Sequence, residues 1–180
     1  MPTARDPRPL TGEPLALDLL NTRWNRDGAP QDLLDGTDGL AVWLAGNGLD
    51  GEHPADEDVL RHLRQAREAL GAAVDGSLEE GAPLVDAVLA HGRIRARLTG
   101  EGAFEEPEFA DASWAPAWLA ARDYLDLLDR APDRIRRCAH EACVLHFFDT
   151  SRNGTRRWCS MASCGNRAKA SRHYARSKES

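Results

Sequence analysis

The sequence predicts an α+β chain in two unequal parts: a mostly helical N-terminal domain with a small sheet over residues 1–130, then a compact cysteine-bracketed module over residues 131–180. Three observations carry this. Apolar residues recur at helical spacing through several capped stretches of the first part, with two short stretches alternating at period two. All four cysteines fall between positions 138 and 164, in two brackets of equal spacing. Charge divides at the same place. Residues 131–180 hold nine arginines and two lysines against four acids, a net +7, and a whole-chain charge of −6 leaves −13 on residues 1–130.

Each element of the first part has a local reason. Leu15, Leu17 and Leu19 alternate with Ala16 and Asp18 and predict a strand entering a mostly buried sheet. Asp18, Asn21, Thr22 and Arg23 at its end read either as a small pocket or as ordinary capping and turn residues. Thr37 predicts a helix cap, Leu40, Trp43 and Leu44 the buried face, and Gly46-Asn47-Gly48 the end. A longer helix over residues 55–74 carries Val59, Leu63, Ala66, Leu70 and Ala73 as one stripe, with acids at its N-terminal turn. Pro83 predicts the first turn of another helix, which carries Leu84, Val85, Val88 and Leu89 and stops at Gly92. Strict alternation from Arg93 to Leu98 predicts a half-exposed strand closed by Gly100-Glu101-Gly102, and residues 107–111 read as a loop. Ser113 then caps a long helix with Trp114, Trp118, Ala121, Leu125 and Leu128 on one face, and residues 130–133 form the boundary.

No catalytic constellation emerges from this part. It has no glycine-rich phosphate loop and no helical metal-binding histidine pair, and His53, His62 and His91 fall in separate elements. The expectation is a protein that is not an enzyme.

The C-terminal module reads as a zinc site. Cys138 and Cys143 flank four residues, as do Cys159 and Cys164. Two close thiolate pairs on short turns complete a tetrahedral shell without a long entropic search. Val144 to Phe148 has strand character, residues 149–154 form a turn, and a second strand at residues 155–158 would close a hairpin at Cys159. Cys164 opens a proline-free stretch, residues 165–178, that can run as a helix whose positive end favours a thiolate. Knuckle, hairpin and helix make a treble-clef-like finger. His140 and His146 lie close enough to substitute as ligands, but the four cysteines already form a complete set. Four protein ligands leave no open position for catalysis, so the metal's contribution is folding, on the order of 10 to 16 kcal/mol in finger peptides. Disulfides would need an oxidising compartment. The N-terminus has no apolar signal core and no run of eighteen apolar residues could span a membrane, so the chain reads as cytoplasmic with no membrane partner.

The basic residues suggest a nucleic-acid partner. Arg152, Arg156 and Arg157 crowd the hairpin, while Lys169, Arg172 and Arg176 share one face of the following helix. Arg167 and Asn166, beside the metal, suit either nucleic acid or the surroundings of the thiolates. Duplex DNA leads; RNA, or an acidic protein docked on an adaptor, would use the same charges. The opposite signs of the two parts predict that the acidic one competes with phosphate for the finger.

The run Arg157-Trp158-Cys159-Ser160-Met161-Ala162-Ser163-Cys164-Gly165-Asn166-Arg167-Ala168-Lys169 closely resembles the signature of the CGNR zinc-finger family, and Asp149-Thr150-Ser151-Arg152-Asn153 and Arg172-His173-Tyr174 look like the same family. Leu15-Ala16-Leu17-Asp18-Leu19-Leu20-Asn21-Thr22 is similar to the opening of the ABATE domain that usually precedes this finger. The resemblance implies a bacterial, stress-linked transcription regulator. It leaves open a homo-oligomer and a small-molecule effector at the N-terminal domain.

Overall fold

The computed structural model describes residues 5–170, and its first element departs from the alternation of the leucines. Leu15–Leu20 is a helix (α1), not a strand. Residues 16–20 are buried, and among the described residues they join none of the two-stranded sheets. A buried segment outside any sheet must satisfy its own backbone, which a helix does. The Asp18 N–H bonds Pro14 O at 2.8 Å, and the unpaired first-turn N–H of Ala16 reaches the Asp123 carboxylate at 2.9 Å. Asp18 is buried because it accepts from Arg8 at 2.7 Å, Gly12 N at 3.2 Å and Asn47 at 3.1 Å.

Two strands follow, Arg23–Arg26 (β1) and Ala29–Asp32 (β2), paired antiparallel. Their turn is Asp27-Gly28 with φ of 52° and 81°, the left-handed pair that a tight hairpin demands. Thr37–Gly46 (α2) buries Leu40, Trp43 and Leu44 as expected, although Gly36 rather than Thr37 is its cap residue. Glu57–Gly71 (α3) is capped by the Asp56 side chain on Val59 N, buries the expected stripe, and passes into a π-helical turn at Ala72–Gly76.

The next helix, Leu78–Leu89 (α4), starts earlier than Pro83 suggests. Ser77 accepts the Glu80 N–H at 3.1 Å, and Glu79 and Glu80 complement the dipole, so the start is fixed upstream and the proline is carried inside. Gly81 sits where any Cβ would collide with Ala73, which lets α4 close onto the π-helical turn.

Gly92–Thr99 (β3) and Gly102–Phe109 (β4) form an exposed antiparallel ribbon. Residues 107–109 therefore belong to a strand rather than to the expected loop. Pro107 opposite Ile94 is tolerated because a two-stranded ribbon is all edge. Phe109 meets Trp118 edge-on at 5.5 Å, which fixes the ribbon's base. Ala115–Arg130 (α5) follows a short turn capped by Asp111, not Ser113. Its buried face runs through Trp118, Ala121, Tyr124 and Leu127, with Leu125 and Leu128 half-buried beside it. His62 and His91, from different elements, stack on Trp114 at 3.9 and 3.5 Å. Both histidines thus serve as packing partners of one indole.

The core is continuous from Leu17, Trp43 and Leu63 to Leu145, Phe147 and Phe148 of the C-terminal module. Among the described residues no helix is long and apolar enough to cross a membrane.

Candidate metal centre and nucleic-acid face

Ile135–Arg137 (β5) pairs antiparallel with His146–Phe148 (β6), Ile135 opposite Phe148. The aromatic run at 144–148 thus finds its partner upstream, and residues 155–158, expected as a strand, form none. Side chains hold that segment instead. Arg156 N–H goes to the Asp149 carboxylate at 3.0 Å, and the Arg156 guanidinium goes to the carbonyls of Trp158 at 3.1 Å and Cys159 at 2.6 Å.

The first cysteine pair lies in the β5–β6 turn. Cys138 N–H bonds Leu145 O and Cys143 N–H bonds His140 O, each at 2.9 Å, which folds the two cysteines into one knuckle. The second pair is set by a π-helical turn at Met161–Gly165, capped by Ser160 on Ser163 N, with helix continuing over residues 166–170.

The four sulfurs lie within 4.8 Å of one another, at 3.8 Å for Cys143 and Cys159 and 3.6 Å for Cys159 and Cys164. Zinc bound to four thiolates at about 2.3 Å places them about 3.8 Å apart, so the spacing fits one ion. All four are free thiols in this arrangement. Donors already face the sulfurs: Cys159 N–H on Cys138 Sγ at 3.4 Å, the Arg167 guanidinium on Cys164 Sγ at 3.7 Å, and the Leu145 backbone on Cys143.

The thiols depend on one another electrostatically. Hydrogen bonding from Cys159 draws Cys143 down to about 5 against the effect of burial, and the same contact pushes Cys159 up, while burial raises Cys164 to about 11. A cluster this close cannot hold four thiolates by itself, and a divalent cation is the species that lets it. His140 and His146 stand apart from it. His140 Nδ1 accepts Ala142 N–H at 3.2 Å, and His146 Nε2 lies 2.9 Å from the Asp75 carboxylate.

The sequence profile of the ABATE family, described as "Putative stress-induced transcription regulator", matches residues 13–131. The chain belongs to the ABATE family. The profile of the CGNR zinc finger matches residues 134–177, so the ABATE match and the finger match are adjacent. Comparison with curated proteins gives no match.

The ABATE region and the finger are joined by hydrogen bonds, buried at Asn21 and more open at Glu13 and Asn25. Asn21 accepts the His146 N–H at 2.8 Å and donates to His146 O at 2.9 Å, satisfying the strand backbone as a neighbouring strand would. Glu13 accepts the Phe148 N–H at 2.9 Å, and Asn25 donates to Ala142 O at 3.0 Å. Sequence reasoning assigned Asn21 a cap or pocket role; its partner lies 125 residues away.

The expected nucleic-acid residues that are described separate into three groups. Arg156 is consumed by the finger's own fold, lying over Phe147 at 4.2 Å and 3.4 Å from Glu13 as well as binding the two carbonyls. Arg167 is exposed but engages Cys164, and Asn166 bonds Ala162 O at 3.2 Å. Arg152, Arg157 and Lys169 are exposed, and among the described residues none of the three forms an ion pair. Arg172 and Arg176, with His173 and Tyr174, lie outside the described residues. Among the described residues, acids of the ABATE region form ion pairs with the finger at Glu13 with Arg156 and at Asp75 with Arg137 and His146. The expected competition between the acidic region and phosphate therefore has no ion pair at Arg152, Arg157 or Lys169 among the described residues.

Proposed function

We propose that this ABATE-family chain is a cytoplasmic, non-enzymatic transcription regulator that binds duplex DNA through its CGNR finger. Zinc held by Cys138, Cys143, Cys159 and Cys164 fixes the finger, and Arg152, Arg157 and Lys169, continued by Arg172 and Arg176, contact the phosphate backbone. The observation that carries this reading is the exposure of Arg152, Arg157 and Lys169, which have no acidic partner among the described residues, on the same module as a four-cysteine cluster anchored in the main core. Such cations displace condensed counterions from DNA, which makes affinity salt-dependent and steers association. Arg167 acts on the metal side, donating to the Cys164 sulfur and orienting it.

The triple change Arg152→Ala, Arg157→Ala, Lys169→Ala is expected to weaken duplex binding and to flatten the slope of log K against log salt by roughly 0.9 per lost contact. Zinc content should stay at one equivalent, because none of the three touches a sulfur. Unchanged affinity with an unchanged slope would show that these cations are merely solvated.

A further inference from the structure

An open cavity of about 340 Å³ lies on the finger, walled by Ser151, Thr155, Arg156, Arg157, Trp158 and Met161. Its apolar wall is Met161 beside the half-buried Trp158 ring. Met161 is 55 % exposed, and among the described residues it is the one large hydrophobic of the finger left in solvent. Gly165 sets its position: a Cβ there would come within 2.9 Å of Met161 Sδ and 3.4 Å of Trp158 Cδ1, so the missing side chain lets both lie against the turn. Trp158 precedes Cys159, and Met161 opens the π-helical turn that carries Cys164. The cysteine cluster therefore holds both apolar walls in place.

The rim of the cavity is cationic. Arg157 lies over the Trp158 ring at 5.2 Å, and Arg152 follows Ser151 in the turn. Neither forms an ion pair among the described residues, and no acid stands among the cavity walls. The other polar walls are largely spent. Arg156 is bound to the carbonyls of Trp158 and Cys159, and Ser151 Oγ accepts the Thr155 N–H at 3.2 Å. What the cavity offers an occupant is thus an apolar surface inside a positive rim, which suits a polyanion carrying an exposed apolar group.

Duplex DNA has such a group, the C5-methyl of thymine, presented at the base edge in the major groove. We infer that Met161 and Trp158 read thymine by packing on this methyl while Arg152 and Arg157 hold the neighbouring phosphates. The flexible, polarisable thioether of Met161 adapts to the methyl without a fixed hydrogen-bond pattern. This inference rests on the duplex-binding reading above and deepens it. Uracil lacks the methyl and the major groove of an RNA helix is too narrow for side chains, so the same contact separates DNA from RNA.

The test compares two labelled hairpin duplexes with the same alternating stem, one of A·T pairs and one in which deoxyuridine replaces every thymine. Each is titrated with the zinc-loaded full chain across a salt series. The thymine stem is expected to bind about fourfold more tightly, the worth of one buried methyl, and both stems should show the same slope of log K against log salt because their phosphates are identical. Met161→Gln should reduce the preference to about one while zinc content, thermal midpoint and salt slope hold, and Met161→Leu should keep it. Equal binding of the two stems by the unaltered chain, or a preference that survives Met161→Gln, overturns the inference while salt-dependent duplex binding stands. Failure to bind either stem removes the duplex-binding reading and this inference with it.

Discussion

Stripping the metal from the CGNR finger is expected to destabilise the whole chain rather than the finger alone. A structural zinc contributes on the order of 10 to 16 kcal/mol, about the entire stability of an ordinary domain. Here the loss does not stay local. The segment between the two cysteine pairs inserts Leu145, Phe147 and Phe148 into the same core as Leu17, Trp43 and Leu63. Without the ion the thiols have no common partner, and the knuckle that aligns β5 with β6 loses its closure. Chelation, or Cys164→Ser, should therefore lower the thermal midpoint of the full chain well beyond the few degrees that a surface change costs. The ABATE helices and the finger should melt in one transition, followed by far-ultraviolet circular dichroism and by release of one zinc equivalent. A chelated chain that keeps its midpoint would show that the core does not depend on the finger.

The second large effect is expected at Asn21. Its amide sits fully buried and closes a two-way bond with the His146 backbone, at 2.8 and 2.9 Å. Truncation to alanine leaves a buried N–H and a buried C=O without partners, each costing about 1 to 3 kcal/mol, so Asn21→Ala should lose about 2 to 4 kcal/mol in denaturant unfolding. Asn21→Asp keeps an acceptor for the His146 N–H but loses the donor to the carbonyl and buries a charge, so it should be no better tolerated. A loss below about 0.5 kcal/mol would mean that water replaces the amide and that the joint is held by aromatic packing instead.

What could be read from the chain differs with the range of the cause. The cysteine brackets, the α3 stripe and the stop of α2 at Gly46-Asn47-Gly48 are local signals, and each appears where its spacing puts it. Asp27-Gly28 is equally local, a tight-turn dipeptide between two short strands, and the hairpin it makes is absent from the elements expected of the sequence. The leucine alternation at 15–19 misleads because a segment buried on all sides has no polar face to declare its period. Pro83 misleads for a different reason: proline suits a first turn but does not forbid a helix already capped at Ser77. The partner of the aromatic strand was chosen by tertiary fit, since residues 135–137 and 155–158 offer similar short stretches and the side-chain bonds of Asp149 and Arg156 decide between them. Arg156 shows the limit of composition. It adds to the same +7 as Arg152 and Arg157, yet its guanidinium is bound inside the finger.

DNA binding by the anchored zinc finger is tested most directly by fluorescence anisotropy of a labelled duplex titrated with the zinc-loaded full chain across a salt series. Five backbone contacts, from Arg152, Arg157, Lys169, Arg172 and Arg176, should give a slope of log K against log salt near −4.5, from about 0.9 per contact. Duplex DNA should bind more tightly than single-stranded RNA at matched salt, and the chelated chain should lose binding. No measurable duplex binding at low salt, or tighter binding to the RNA, would contradict it.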